Sequence, residues 1–91
     1  MSRKLTSIIY FKIEITFEEW VKIFDSKEAD LRHFEFDIKP FFRGLSKDDP
    51  KKLICINQAP GGNIQKFVKV NSELIKSHKV DFSIMEESSW I

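Results

Sequence analysis

Apolar residues alternate from Ser7 to Ile15: Ile9, Phe11, Ile13 and Ile15 fall on one side of an extended chain, and Ile8, Tyr10, Lys12 and Glu14 on the other. A period of two in β-branched and aromatic residues predicts a strand with one buried face. The period then lengthens. Thr16 and Glu19 have the spacing of a capping box, in which hydroxyl and carboxylate satisfy amides that the first helical turn leaves free. Phe17, Trp20, Val21 and Phe24 follow at i, i+3, i+4 and i+7, which predicts a helix with one face against a core. Asp25 and Ser26 compete with the backbone for hydrogen bonds, so a break is expected there. Ser26 would cap a second helical segment, reaching Phe34, that turns Ala29, His33 or Phe34 inward beside Leu31.

Pro40 closes the irregular stretch and opens a strand from Phe41 to Leu45. Lys47-Asp48-Asp49-Pro50 reads as a turn and Lys52 to Ala59 as the returning strand, a hairpin with a loop of several residues. Pro60-Gly61-Gly62 breaks the chain again, and Asn63 is a good N-cap. Ile64, Phe67, Val68, Asn71, Leu74 and Ile75 predict a second amphipathic helix reaching about Ser77. A fourth strand within Val80 to Ile91 would complete the pattern, although Glu86-Glu87-Ser88-Ser89 is a poor strand interior.

Strand–helix–strand–strand–helix, with a further strand, is the order of an α+β, ferredoxin-like βαββα(β) sandwich whose helices cover one face of an antiparallel sheet. The first strand sends Ile8, Tyr10 and Lys12 to the uncovered face. With Phe42, Ile54 and Ile56 of the hairpin turned to the helices, Phe41, Arg43, Leu45, Leu53, Cys55 and Asn57 would join them there. Exposed apolar area of that extent marks a partner site. Pairing of two such sheets, as in a dimeric α/β barrel, is the expectation.

Composition narrows the class. Ninety-one residues make a single domain, 1–91, with residues 1–5 and 86–91 as short tails, and leave no room for separate catalytic and regulatory domains. Nine Phe, two Trp and one Tyr can fill even a small core. Fifteen basic against fourteen acidic residues give +1, no field for a polyanion. RNA-recognition modules share this strand and helix order but need aromatics on the central strands, and Lys52-Leu53-Ile54-Cys55-Ile56 has none, so no nucleic-acid partner is expected. The apolar run Ile8-Ile9-Tyr10-Phe11 is far short of the roughly 20 residues of a membrane span, and the basic start has no signal-peptide core behind it. A lone Cys55 closes no intrachain disulfide, which suits a reducing, cytoplasmic location.

Phe24-Asp25-Ser26-Lys27-Glu28-Ala29-Asp30, Ile38-Lys39-Pro40, Arg43-Gly44 and Ser46-Lys47-Asp48-Asp49-Pro50 resemble a small family of cyanobacterial proteins known only as a domain of unknown function. Ser77-His78, Asp81-Phe82-Ser83 and Met85 to Trp90 extend the resemblance over about Thr6 to Ile91. It supplies no catalytic motif. At the level of fold it implies the dimeric α/β-barrel group, which includes cofactor-free monooxygenases, haem-degrading and lyase-type enzymes and ligand-sensing modules. Such likeness says little about activity.

Four side chains stand out as a ligand set for the cavity of such a dimer: Tyr10, Lys12, Arg43 and Asn57. Arg43 would give a forked donor pair and Tyr10 a polarised hydroxyl to an anionic or carbonyl-bearing molecule. The plainer reading is that they are solvated or make salt bridges between subunits. Asp30 lies one helical turn before His33, the spacing that brings a carboxylate to an imidazole for general-base chemistry; it is also an ordinary surface spacing. One Cys and two scattered His, His33 and His78, without HxH, CxxC or HExxH spacing, make no metal set. Gly61-Gly62-Asn63 before a helix lacks both GxGxxG and the Lys-Ser/Thr of a phosphate loop and reads as a plain turn. Cys55, between Ile54 and Ile56, reads as a buried, inert thiol.

These residues point to a homodimeric accessory protein that binds a small ligand or a protein client and needs no cofactor. The alternative is a small metal-free enzyme, monooxygenase- or isomerase-like, acting in the barrel cavity through Tyr10, Asp30, His33 and Arg43. A third reading makes the sheet face an interface and nothing more.

Overall fold

In a computed structural model, which describes residues 3–91 and Phe82 by its backbone alone, the chain runs β1 (Lys4–Ile13), α1 (Phe17–Phe24), α2 (Lys27–Glu35), β2 (Lys39–Leu45), β3 (Lys52–Pro60), α3 (Asn63–Val70), α4 (Ser72–Ser77) and β4 (Val80–Trp90). The fold is α+β, its strands forming one open four-stranded sheet in the order β2-β3-β1-β4, antiparallel throughout. No helix among the described residues is long and apolar enough to cross a membrane.

Local chemistry explains the breaks. Thr16 caps α1, its hydroxyl accepting from the Glu19 amide at 3.1 Å and donating to the Glu19 carboxylate at 3.1 Å, so the box closes between side chains. Ser26 caps α2, accepting from the Ala29 amide at 3.2 Å, and this is the break expected at Asp25-Ser26. α2 buries Ala29 and His33 but leaves Leu31 and Phe34 exposed, so those two do not turn inward. The single helix expected over 63–77 is two. Asn71 ends α3: its backbone amide and its side-chain Nδ2 both donate to the Phe67 carbonyl at 3.0 Å, and the chain restarts as α4. The cap of α3 is Gly62 in the left-handed region at φ 88°, not Asn63. Asn63 instead donates to the Phe36 carbonyl at 2.8 Å and ties the start of α3 to the end of α2.

Both expected tails need correction. Of residues 1–5, Met1 and Ser2 lie outside the described residues, and Lys4 and Leu5 already belong to β1. At the other end β4 extends to Trp90, so Glu86 to Ser89 form strand. They do so at the edge of the sheet, where polar side chains meet solvent and blunt further pairing. β2 is the opposite edge, which is why it admits Pro40 inside the strand.

The register of the hairpin is also corrected. Ile8 lies opposite Ile56 and Tyr10 opposite Ile54, so Ile54 and Ile56 share the uncovered face with them. Leu53, Cys55, Asn57 and Ala59 are buried under the helices with Ser7, Ile9, Phe11 and Ile13. Because side chains alternate strictly, one step of register exchanges whole faces. The core on the helix side is built on Trp20, 5% exposed, which stacks on Phe24 with centroids 4.7 Å apart and tilts against Phe11 at 5.5 Å. The aromatic row continues from Phe24 to His33 at 5.0 Å and from His33 to Phe67 at 5.3 Å, bridging α1, α2 and α3 above the sheet.

Candidate functional site

The register divides the expected ligand set. Tyr10 and Lys12 stand on the open face; Arg43, opposite Cys55, and Asn57, opposite Ser7, stand on the helix side. The four do not converge. Lys12 pairs with Asp49 at 3.1 Å, and the Tyr10 ring carries the Lys52 ammonium at 5.6 Å from its centroid, which separates two lysines placed directly across β1 and β3. Arg43 forms an ion pair with Asp25, the residue that ends α1, and lies 5.8 Å from the centroid of Phe24. It fastens the edge strand to α1.

The open face reads as cross-strand rows. Gly44, Ile54, Tyr10 and Glu86 form one; Phe42, Ile56, Ile8 and Ser88 the next; Lys39, Gln58, Thr6 and Trp90 a third. The two central rows are apolar except at the β4 edge. A Cβ at Gly44 would stand 2.8 Å from the Phe42 ring, so glycine lets that ring lie flat along the strand.

On the helix side a cavity of about 110 Å³ lies between sheet and helices. Ile9, Phe11, Trp20, Phe67 and Ile75 make much of its wall, and Leu74, 37% exposed, marks where it approaches the surface. His33 and Asn57 line it from α2 and β3, 7% and 6% exposed, and neither His33 Nδ1 nor Asn57 Oδ1 has a hydrogen-bond partner. Buried polar atoms left so cost about 1–3 kcal/mol each, and native proteins keep few of them. Burial lowers the His33 pKa below 6.5, Asp30 opposing and Arg32 adding to the fall; burial first and Arg32 second lower that of His78. Both imidazoles are therefore held toward the neutral form. Burial pushes the Cys55 thiol up to about 12, with Arg43 pulling weakly the other way, so it is no nucleophile.

The Asp30–His33 pair does not form a hydrogen bond among the described residues: Asp30 is exposed and acts on the imidazole only through space. Tyr10 lies across the sheet from His33. The four residues of the enzymatic alternative thus fall in three places. Among the described residues no group of three or more His, Cys, Asp or Glu side chains is placed to hold a metal ion.

Arg32 and Asn71 line the cavity too; sequence reading gave Arg32 no role and placed Asn71 only on the inward stripe of a helix. The signal for the correct face lay at the ends of β3. Positions 52, 54, 56 and 58 begin with Lys and end with Gln, whereas 53, 55, 57 and 59 begin with Leu and end with Ala. The second series is the one a closed core accepts, and it carries Asn57 in with it.

No curated protein and no solved structure matches the chain. A family model does, over residues 4–91, nearly the whole of the sheet and helices just described, and the chain belongs to that family, DUF3764, a domain of unknown function.

Proposed function

We propose that this chain is a ferredoxin-like domain that pairs with a second copy through its open sheet face, in the manner of a dimeric α/β barrel, and holds a small molecule in the cavity under its helices, as a cytoplasmic accessory protein. A helical crossover after β1 and another after β3, with the sheet order β2-β3-β1-β4, support the ferredoxin-like reading. The pairing rests on the two apolar central rows, flanked by Lys12 and Lys52 at one end, by Lys39 at the other and by Glu86 on the β4 edge. An isologous interface brings each patch against the other copy's.

The observation that carries ligand binding is His33 Nδ1 and Asn57 Oδ1, unpartnered and more than nine-tenths buried at one apolar cavity. Pockets for small molecules have this makeup, mostly apolar wall with a few convergent polar atoms. The expected ligand site therefore moves from the sheet face to the helix side, keeping Asn57 and losing Tyr10, Lys12 and Arg43.

An enzymatic reading has one observation in its favour. A neutral, unpartnered imidazole in an apolar cavity meets the condition for a general base, so His33 would carry a monooxygenase- or isomerase-like reaction. The holding function needs fewer groups than that reaction and stands first.

Sedimentation over a concentration series, with native mass spectrometry on freshly purified protein, tests both halves. A dimer carrying added small mass is the expected result. A monomer at tens of micromolar overturns the pairing, and protein that neither carries added mass nor gains thermal stability from any of a panel of small molecules overturns the holding function.

A further inference from the structure

The cavity has a polarity that the balanced net charge conceals. Its ionisable lining is Arg32, His33, Cys55 and His78, and among the described residues no Asp or Glu lines it, in a chain with fourteen acidic residues. Arg32, the half-buried cation among them, makes no ion pair among the described residues. His78 follows α4 and His33 lies on α2, so the two come to the cavity from different helices, with Arg32 one residue before His33. Ile9 and Phe11 of β1 join Trp20, Phe67 and Ile75 of the helices in the apolar wall of the cavity.

Resting on the ligand-holding function above, we propose that the molecule held is a small apolar carboxylate. Its hydrocarbon part sits against Ile9, Phe11, Trp20 and Phe67, and its carboxylate meets Arg32 with His33 and His78 beside it. Size sets the class. A dry apolar cavity of about 150 Å³ accommodates benzene, so about 110 Å³ suits a short branched chain or one ring seated partly in the mouth. Charge sets the head group. A guanidinium without a partner offers a carboxylate two parallel donors, and an imidazole beside a bound anion gains reason to take up a proton. Asn57 Oδ1 accepts only, and so would favour the acid's α-substituent or a bound water as donor. Burial and Arg32 hold both imidazoles neutral without an anion, which leaves them free to respond to one.

The test is calorimetric titration of the full chain at pH 6.5 with isovalerate and benzoate, each against its neutral amide. Long-range nitrogen–proton spectra of the imidazoles locate the site. The acids are expected to bind at least tenfold more tightly than the amides and to shift the resonances of both His33 and His78. Arg32→Gln is expected to remove that preference while the amides bind as before. Leu74→Trp, at the exposed edge of the cavity, is expected to weaken acid and amide together. Acids and amides binding equally, or acid binding that survives Arg32→Gln unchanged, overturns the carboxylate and leaves the holding function standing. Failure of acids and amides alike, in a protein that also carries no added mass and responds to no small molecule, overturns both.

Discussion

The two faces of one sheet make the instructive comparison. β3 sends Leu53, Cys55, Asn57 and Ala59 under the helices and Lys52, Ile54, Ile56 and Gln58 to the open side. Both sets carry apolar residues. On the open side the polar residues of β3, Lys52 and Gln58, stand toward the ends of the strand, where water or a partner's rim satisfies them. On the helix side they stand in the middle, Asn57 beneath the helices and His33 above it, with atoms that find no partner. A flat apolar centre with a polar edge complements another flat surface. An enclosed apolar wall with unpaired polar atoms complements a small molecule.

The comparison breaks most visibly at Trp20. Truncation to alanine removes the ring that joins Phe11, Phe17 and Phe24, and should cost about 3–5 kcal/mol in urea unfolding. A loss below about 1 kcal/mol would mean the helix side is not the core. Next in size, Ile56→Lys places a charge in the centre of the open face. It should weaken the proposed pairing by about a hundredfold or more, worth about 2.7 kcal/mol, with the circular dichroism of the fold retained. Unchanged sedimentation would remove the open face from the interface.

The pH dependence sharpens the helix side. His33 and His78 have lowered pKa values, so the unfolded chain binds protons first and stability should fall as pH drops below 6.5. Cys55 is raised to about 12, so between the ordinary thiol pKa of about 8.5 and that value the unfolded chain ionises first and stability falls as pH rises. Unfolding midpoints across pH 5 to 10 check both, with His33→Gln flattening the acid limb and Cys55→Ala the alkaline one. The smallest effect belongs to Gly44→Ala. Its methyl group displaces only the outer atoms of the Phe42 ring, so monomer stability should change by less than about 1 kcal/mol. Any change in self-association measured beside it reports on the open face alone.

Periodicity made most elements legible. Ile9-x-Phe11-x-Ile13 can satisfy only a strand, and Phe17, Trp20, Val21 and Phe24 only a helix face. The caps at Thr16 and Ser26 were readable because their hydroxyls act within one turn. β4 was harder to read, since an edge strand tolerates Glu86 to Ser89 through its place in the sheet and not through its own composition. The candidate site was half legible. Asn57 and His33 stood out as residues, but their shared cavity depends on which face of β3 meets the helices.

What the sequence by itself determined about this protein is thus its local order: an α+β alternation, two capped helical starts, a hairpin, and a thiol among apolar neighbours. These follow from interactions spanning a few residues, which the chain carries wherever it folds. Tertiary structure alone decided the register of β3 on β1, the split of the Tyr10, Lys12, Arg43 and Asn57 set across the sheet, and the meeting of Arg32, His33 and His78 at one cavity. Residues far apart in the chain meet there only once the whole sheet is paired, and a single step of that pairing turns every side chain of a strand to the other face.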